Sequence, residues 1–157
     1  MMIRLTVNGS ILQTDAGPGA SLMDVLRALG LASVKNGCDN GDCGSCAVLV
    51  DGRAVNACLV FAARCQDTPI ATLEGMASEG SLHALQTAML DAGAVQCGFC
   101  TPGIVMTAAE LLLRNPEPSD REIDEAMAGN FCRCTGYTKP RLAIRAAAEM
   151  LQEAERD

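Results

Sequence analysis

Ile3, Leu5 and Val7 alternate with Arg4 and Thr6 at the start of the chain, and an apolar period of two predicts a half-buried strand. Asn8-Gly9 is a hairpin signal, with Ile11 to Thr14 as the returning strand. Gly17-Pro18-Gly19 breaks the pattern. Ser21 then stands as a helix cap with Asp24 three residues on, and Leu22, Val25, Leu26 and Leu29 make one apolar face before Gly30 ends it. Period two returns in Ala47–Val50, the turn Asp51-Gly52 and Arg53–Cys58, and Ile70–Leu73 is a last short strand.

Beyond the linker-like run from Gly75 to Gly80 the period becomes helical. Ser81 is read as the cap of a helix with Leu82, Leu85, Met89 and Leu90 on one face, ending near Gly93. Thr101-Pro102 reads as a cap followed by proline at the first helical position. The helix it opens, through Ile104, Val105, Met106, Leu111, Leu112 and Leu113 to Asn115-Pro116, is apolar nearly all round and therefore central. Ser119-Asp120-Arg121-Glu122 is a capping box, and Gly129 closes the short helix it starts. From Lys139 to about Glu155, Leu142, Ala146, Ala147, Met150 and Leu151 are expected to face inward, with Arg145 and Glu149 an exposed pair one turn apart. The reading is an α+β chain: strands and one helix over residues 1–76, then four helices over 77–157.

Composition narrows the function. Nine cysteines in 157 residues are too many for an ordinary intracellular core, so they are ligands, disulfides or redox groups. The N-terminus alternates polar and apolar residues where a secretory leader would have a continuous apolar run, so the expectation is a cytoplasmic protein with reduced thiols. No apolar run approaches the ~20 residues of a membrane span. A net charge of −7 leaves nothing to neutralise phosphates, which argues against a nucleic-acid partner. Apolar residues reach 49% while aromatics are only 3%, leaving an alanine-rich surface of which a partner chain is expected to cover part.

The cysteines fall in two sets. Cys38, Cys43 and Cys46, with Cys58 further on, follow C-x4-C-x2-C plus a distant cysteine, the spacing of plant-type [2Fe–2S] ferredoxins. Gly37, Gly41 and Gly44 around them let the backbone curl and bring N–H groups close to sulfur. The second set is Cys97 and Cys100, just before a helix whose free N–H groups favour an anionic group, and Cys132 and Cys134, just after another. For Cys132 and Cys134 to serve one cluster, the chain between them must bend tightly, since on an extended strand they stand far apart.

The segments KNGCDNGDCGSC, VNAC, QCGFCTPG and GNFCRCTGY resemble the iron–sulfur subunit of the molybdenum hydroxylases, the xanthine oxidase family. That family includes bacterial xanthine, aldehyde, carbon monoxide and aromatic-heterocycle dehydrogenases. The similarity spans essentially the whole chain. It implies a β-grasp ferredoxin-like domain holding one [2Fe–2S] cluster on Cys38, Cys43, Cys46 and Cys58, then a four-helix domain holding a second on Cys97, Cys100, Cys132 and Cys134. It also implies a large partner subunit carrying molybdopterin, with Gln96 and Cys134 near the pterin, and an FAD-binding partner that receives the electrons. The chain would then be an electron-transfer subunit that does not itself transform a substrate, the substrate of the complex being a purine, an aldehyde or an aromatic heterocycle.

Three other readings stand beside this one. Four thiolates can hold a structural zinc ion. Cys97-Gly98-Phe99-Cys100 also has the form of a thioredoxin-type redox pair, although that motif follows a strand and here the preceding residues are helical. A free-standing two-cluster electron carrier would have the same cysteines. Cys65 is left over as a small buried hydrophobe. His83, the one histidine, is read as a packing or hydrogen-bonding residue, and Arg133 either as an exposed cation or as a partner of the anionic cluster.

Overall fold

The computed structural model describes residues 1–78 and 80–156, so Glu79, within the run read as a linker, lies outside the described residues. Strands β1 (Met2–Val7) and β2 (Ser10–Asp15) form the first hairpin. Its turn is Asn8-Gly9, both at positive φ (50° and 78°), the twist that lets a two-residue turn close two strands. Asp51-Gly52 repeats this between β3 (Ala47–Val50) and β4 (Arg53–Asn56), at 52° and 73°. Strand β5 (Pro69–Ala71) runs parallel to β1 and antiparallel to β3, giving a five-stranded sheet in the order β2-β1-β5-β3-β4.

Helix α1 (Leu22–Ala28) is capped by the Ser21 hydroxyl, which accepts from the Asp24 amide at 3.1 Å. Its Leu22 and Leu26 are fully buried with Ile3, Leu5, Val7, Val48 and Ile70 against one face of the sheet. Because successive strand residues point to opposite faces, Ala47 and Leu49 of β3 look the other way and join the helical core with Ile104, Val105 and Ala108. The central strand thus serves both halves of the molecule.

Four helices complete the chain: α2 (Ala84–Asp91), α3 (Thr101–Arg114), α4 (Asp120–Met127) and α5 (Thr138–Arg156). Helix α3 is central as expected, with only its far end, Leu113, facing outward at 71% exposure. The cap of α3 falls one residue earlier than read, at Cys100, which places Pro102 at the second helical position. Helix α2 is capped by His83, not Ser81: Nδ1 accepts from the Leu85 amide, and Gln86 Oε1 accepts from the His83 amide. Ser81 is already engaged in a tight turn, exchanging backbone hydrogen bonds with Ser78. The Ser119–Glu122 capping box is present.

Two expectations for α5 are corrected. The helix lies along α2 on Ala143, Ile144, Ala147 and Ala148, so Leu142 and Met150 are exposed. Three small side chains and Ile144 make the helix contact, and Leu142 and Met150 turn outward. Arg145 does not pair with Glu149 but reaches Asp120 on α4. Among the described residues no helix is long and apolar enough to cross a membrane.

Glu74 ties the two ends of the sheet region together. Its carboxylate accepts from the Ser33 amide (2.8 Å), the Ser33 hydroxyl (2.5 Å) and the Thr72 hydroxyl (2.6 Å), and Thr72 is held in turn by Asn8. Partial burial opposes the charge, but the bonds from Ser33 and Thr72 outweigh it and hold the carboxyl below its ordinary range. A lowered carboxylate stabilises the fold above its unfolded pKa, and that contribution is lost as pH falls through the folded one. Glu74→Gln is therefore expected to cost about 1 kcal/mol near neutral pH. The gap to wild type should close in acid, which urea unfolding at a series of pH values will show.

Candidate iron–sulfur sites

The first cysteine set lies on one loop and one turn. Residues 37–46, between α1 and β3, curl through positive φ at Asp39 (60°), Gly41 (85°) and Gly44 (67°). Cys58 sits in a short 3₁₀ turn, Ala57–Leu59, that follows β4. The strand expected to run through Cys58 stops at Asn56, whose side-chain amide donates to the Gly41 carbonyl at 2.8 Å and holds the loop. A β-carbon on Gly37 would come within 2.8 Å of Cys43 Sγ, so a larger residue there would push that sulfur aside.

The sulfurs stand in pairs. Cys38 and Cys43 share a hydrogen bond, and the Asn40, Cys43 and Asp42 amides bring the Cys38 thiol down to about 7. Cys46 is paired with Cys58 and pushed up to about 11, first by burial and then by its neighbour. The second set repeats this. Cys97 and Cys134 lie with sulfurs 3.6 Å apart on the surface, and Cys134 is raised by its bond with Cys97. Cys100, half-buried beside Cys132, is pushed up to about 12, first by that partial burial and then by its bond and charge interaction with Cys132. Burial raises Cys132 too, but hydrogen bonds from Thr135, Cys100 and the Cys134 amide outweigh it and leave that thiol at about 7. Adjacent thiolates repel, so a pair without a cation holds a proton on one sulfur; a bound cation lets both ionise.

The chain between Cys132 and Cys134 is bent, and the turn continues through Gly136 and Tyr137 at φ of 62° and 66°. The Cys132 amide donates to the Tyr137 hydroxyl at 2.8 Å. Cys100 caps α3 with its backbone alone, which leaves the first N–H groups of a 14-residue helix beside the second set.

Both halves match family profiles for such sites: residues 5–69 a 2Fe-2S iron-sulfur cluster binding domain, and residues 72–145 a [2Fe-2S] binding domain. The nicotinate dehydrogenase small FeS subunit of Eubacterium barkeri is 48% identical over 148 residues, 94% of each chain. The xanthine dehydrogenase iron-sulfur-binding subunit of Escherichia coli O157:H7 is 49% identical over 86% of each. This chain belongs to the iron–sulfur subunits of the molybdenum hydroxylases. The crystal structure of quinoline 2-oxidoreductase from Pseudomonas putida 86 has a chain of the same fold, with a TM-score of 0.93 and 42% identity, covering 99% of this chain and 98% of that one.

The residues of this iron–sulfur subunit fit two clusters. Each set supplies four soft sulfur donors, glycine where the backbone must approach, and N–H groups beside sulfur. Among the described residues no three metal-binding side chains converge as they would around one ion. The four thiols of each set would hold a two-iron cluster, which would supply one-electron transfer there.

The structure also locks the two sets together. The Phe131 amide, next to Cys132, donates to the Cys43 carbonyl at 2.9 Å, and the buried Asn130 side chain donates to the Gly44 carbonyl at 3.1 Å. Gly103, in the first turn of α3, presses against the same Gly44 carbonyl. Gln96 is exposed beside the outer pair, its amide donating to the Cys134 carbonyl at 3.1 Å. Cys65 is buried in the same apolar core as Cys46, its thiol donating to the Phe61 carbonyl, and Arg133 is exposed. Sequence reasoning missed Thr135, Asn130 and the Gly44–Gly103 contact. Thr135 could have been found as a hydroxyl one residue past a cysteine and two before a tyrosine in a glycine turn; nothing local marks the other two, whose partners lie 86 and 59 residues away.

Proposed function

We propose that this chain is the electron-transfer subunit of a molybdenum hydroxylase complex, with Cys38, Cys43, Cys46 and Cys58 holding one [2Fe–2S] cluster and Cys97, Cys100, Cys132 and Cys134 the other. The division of labour follows the two units, a ferredoxin-like 1–76 and a helical 77–157. The observation that carries the reading is the arrangement of the sets: one opens to the surface through Cys97 and Cys134, and it is joined inside the molecule to the other through Phe131 and Cys43. Bound there, the clusters supply one-electron transfer. The chain's own residues hold thiolates, place N–H donors beside sulfur and keep the two loops in register.

The exposed face with Cys97, Cys134 and Gln96 is the one that meets a large molybdopterin-binding subunit, and an FAD-binding subunit is the acceptor. The substrate class is that of the relatives, a purine, an aldehyde or an aromatic heterocycle, and the compartment is the cytoplasm. Exposed apolar residues beside the second set, Phe99 and Phe131, fit a covered surface better than a free carrier. Purification of the native protein tests this. Co-elution with molybdenum- and flavin-containing chains is expected; a chain that runs alone with both clusters is a free-standing carrier.

A further inference from the structure

Thr135 is the one residue among those described whose side-chain hydroxyl donates to a cysteine sulfur: its Oγ1 lies 3.1 Å from Cys132 Sγ. The geometry around it fixes the direction of that proton. The Tyr137 amide donates to the same Oγ1 at 3.2 Å, occupying a lone pair. Tyr137 cannot drift, because its hydroxyl accepts from the Cys132 amide and its backbone sits in the left-handed region beside Gly136. Cys132 and Tyr137 therefore close a small ring around Thr135, with the hydroxyl hydrogen directed at sulfur. Among the hydrogen bonds of the first set, the donors to sulfur are backbone amides and thiols.

We propose that the Thr135 hydroxyl sets the potential of the cluster held by Cys97, Cys100, Cys132 and Cys134, raising it by donating to the Cys132 sulfur. The inference rests on those four cysteines being the ligands. An added electron makes a cluster more negative, and much of that charge resides on its sulfurs. A donor aimed at sulfur therefore stabilises the reduced form more than the oxidised one and raises the midpoint. Thr135 is a positioning residue in this role, acting through Cys132 without accepting an electron.

The test is a redox titration of the full-length chain, followed by electron paramagnetic resonance, on wild type and on Thr135→Val and Thr135→Ser. Valine keeps the shape and removes the hydroxyl; serine keeps the hydroxyl. In Thr135→Val the reduction equilibrium of one cluster should shift roughly tenfold toward the oxidised form, a midpoint lower by about 59 mV for one electron. The other cluster should keep its wild-type midpoint, and Thr135→Ser should restore the first. Unchanged midpoints in Thr135→Val overturn the proposal, as does an equal shift of both clusters. So does a shift that serine fails to restore, or loss of two irons in Thr135→Val, which would make the hydroxyl a requirement for holding the cluster. Wild type lacking a second cluster signal would instead refute the ligand assignment.

Discussion

Chelating the iron under reducing conditions is expected to lower the thermal midpoint of this chain by about 20 °C or more, with loss of much of the helical circular dichroism. Ligand energies for small metal-stapled domains run to roughly 10 kcal/mol, and for a chain of this length each kcal/mol moves the midpoint by about 2–4 °C. The structure shows where the loss falls. Residues 37–46 and 131–137 are irregular, with backbone held in the left-handed region at Asp39, Gly41, Gly44, Gly136 and Tyr137. Without a cation, paired thiols such as Cys100 and Cys132 share one proton, and the loops that carry them lose their staple. Those loops also join the halves, through Phe131 to Cys43 and Asn130 to Gly44, so melting them frees β3 from α3. An apo midpoint within about 5 °C of the holo value would show that the shared core suffices by itself.

Gly103→Ala should be strongly damaging for the addition of a single methyl. A β-carbon at this position would run into the Gly44 carbonyl and the Ser45 backbone, and a backbone obstacle cannot swing aside as a side chain does. Gly44 is itself tightly packed: a β-carbon there would meet the Gly129 carbonyl and Asn130, and the Asn130 side chain donates to its carbonyl. Overpacking of this kind costs roughly 3 kcal/mol, or about 6–12 °C of thermal midpoint. Gly17→Ala is the control: nothing lies within 4 Å of its would-be side chain, and its effect should stay within about 1 kcal/mol. Equal midpoints for the two variants would mean that α3 and the first cysteine loop are not locked as described.

Most of the fold was legible because local chemistry and tertiary structure agree. Asn8-Gly9 and Asp51-Gly52 make the turns their residue types favour, and Ser21 and Ser119 cap the helices they precede. The misreadings have one physical origin, competition from outside the window being read. Ser81 would serve as a cap, but Ser78 takes it first and His83 is left for the helix. On α5 the expected inward face, Leu142, Ala146, Ala147, Met150 and Leu151, holds at Ala147, but packing on α2 turns the helix so that Ala143, Ile144 and Ala148 are buried and Leu142 and Met150 are exposed. Arg145 had a candidate on its own helix and found Asp120 on another.

The candidate sites divide the same way. Cys38, Cys43, Cys46 and Cys58 stand out by spacing alone, because glycine and cysteine at fixed intervals are a local signature, whereas Cys97, Cys100, Cys132 and Cys134 come together as one set only through the family resemblance. What holds the sets in place could not be named either way. Asn130 and Gly103 matter only through Gly44, and no periodicity connects residues so far apart. The pairing of sulfurs, Cys38 with Cys43 and Cys97 with Cys134, is likewise a product of the folded loops.

The central claim is that one chain holds two [2Fe–2S] clusters, one on each cysteine set. Electron paramagnetic resonance of the anaerobically purified, dithionite-reduced protein, with metals counted on the same sample, tests it most directly. Two distinguishable rhombic signals and about four irons per chain are predicted, as two such clusters require. A single signal with about two irons would contradict the assignment of one set, and zinc with no iron signal would contradict both.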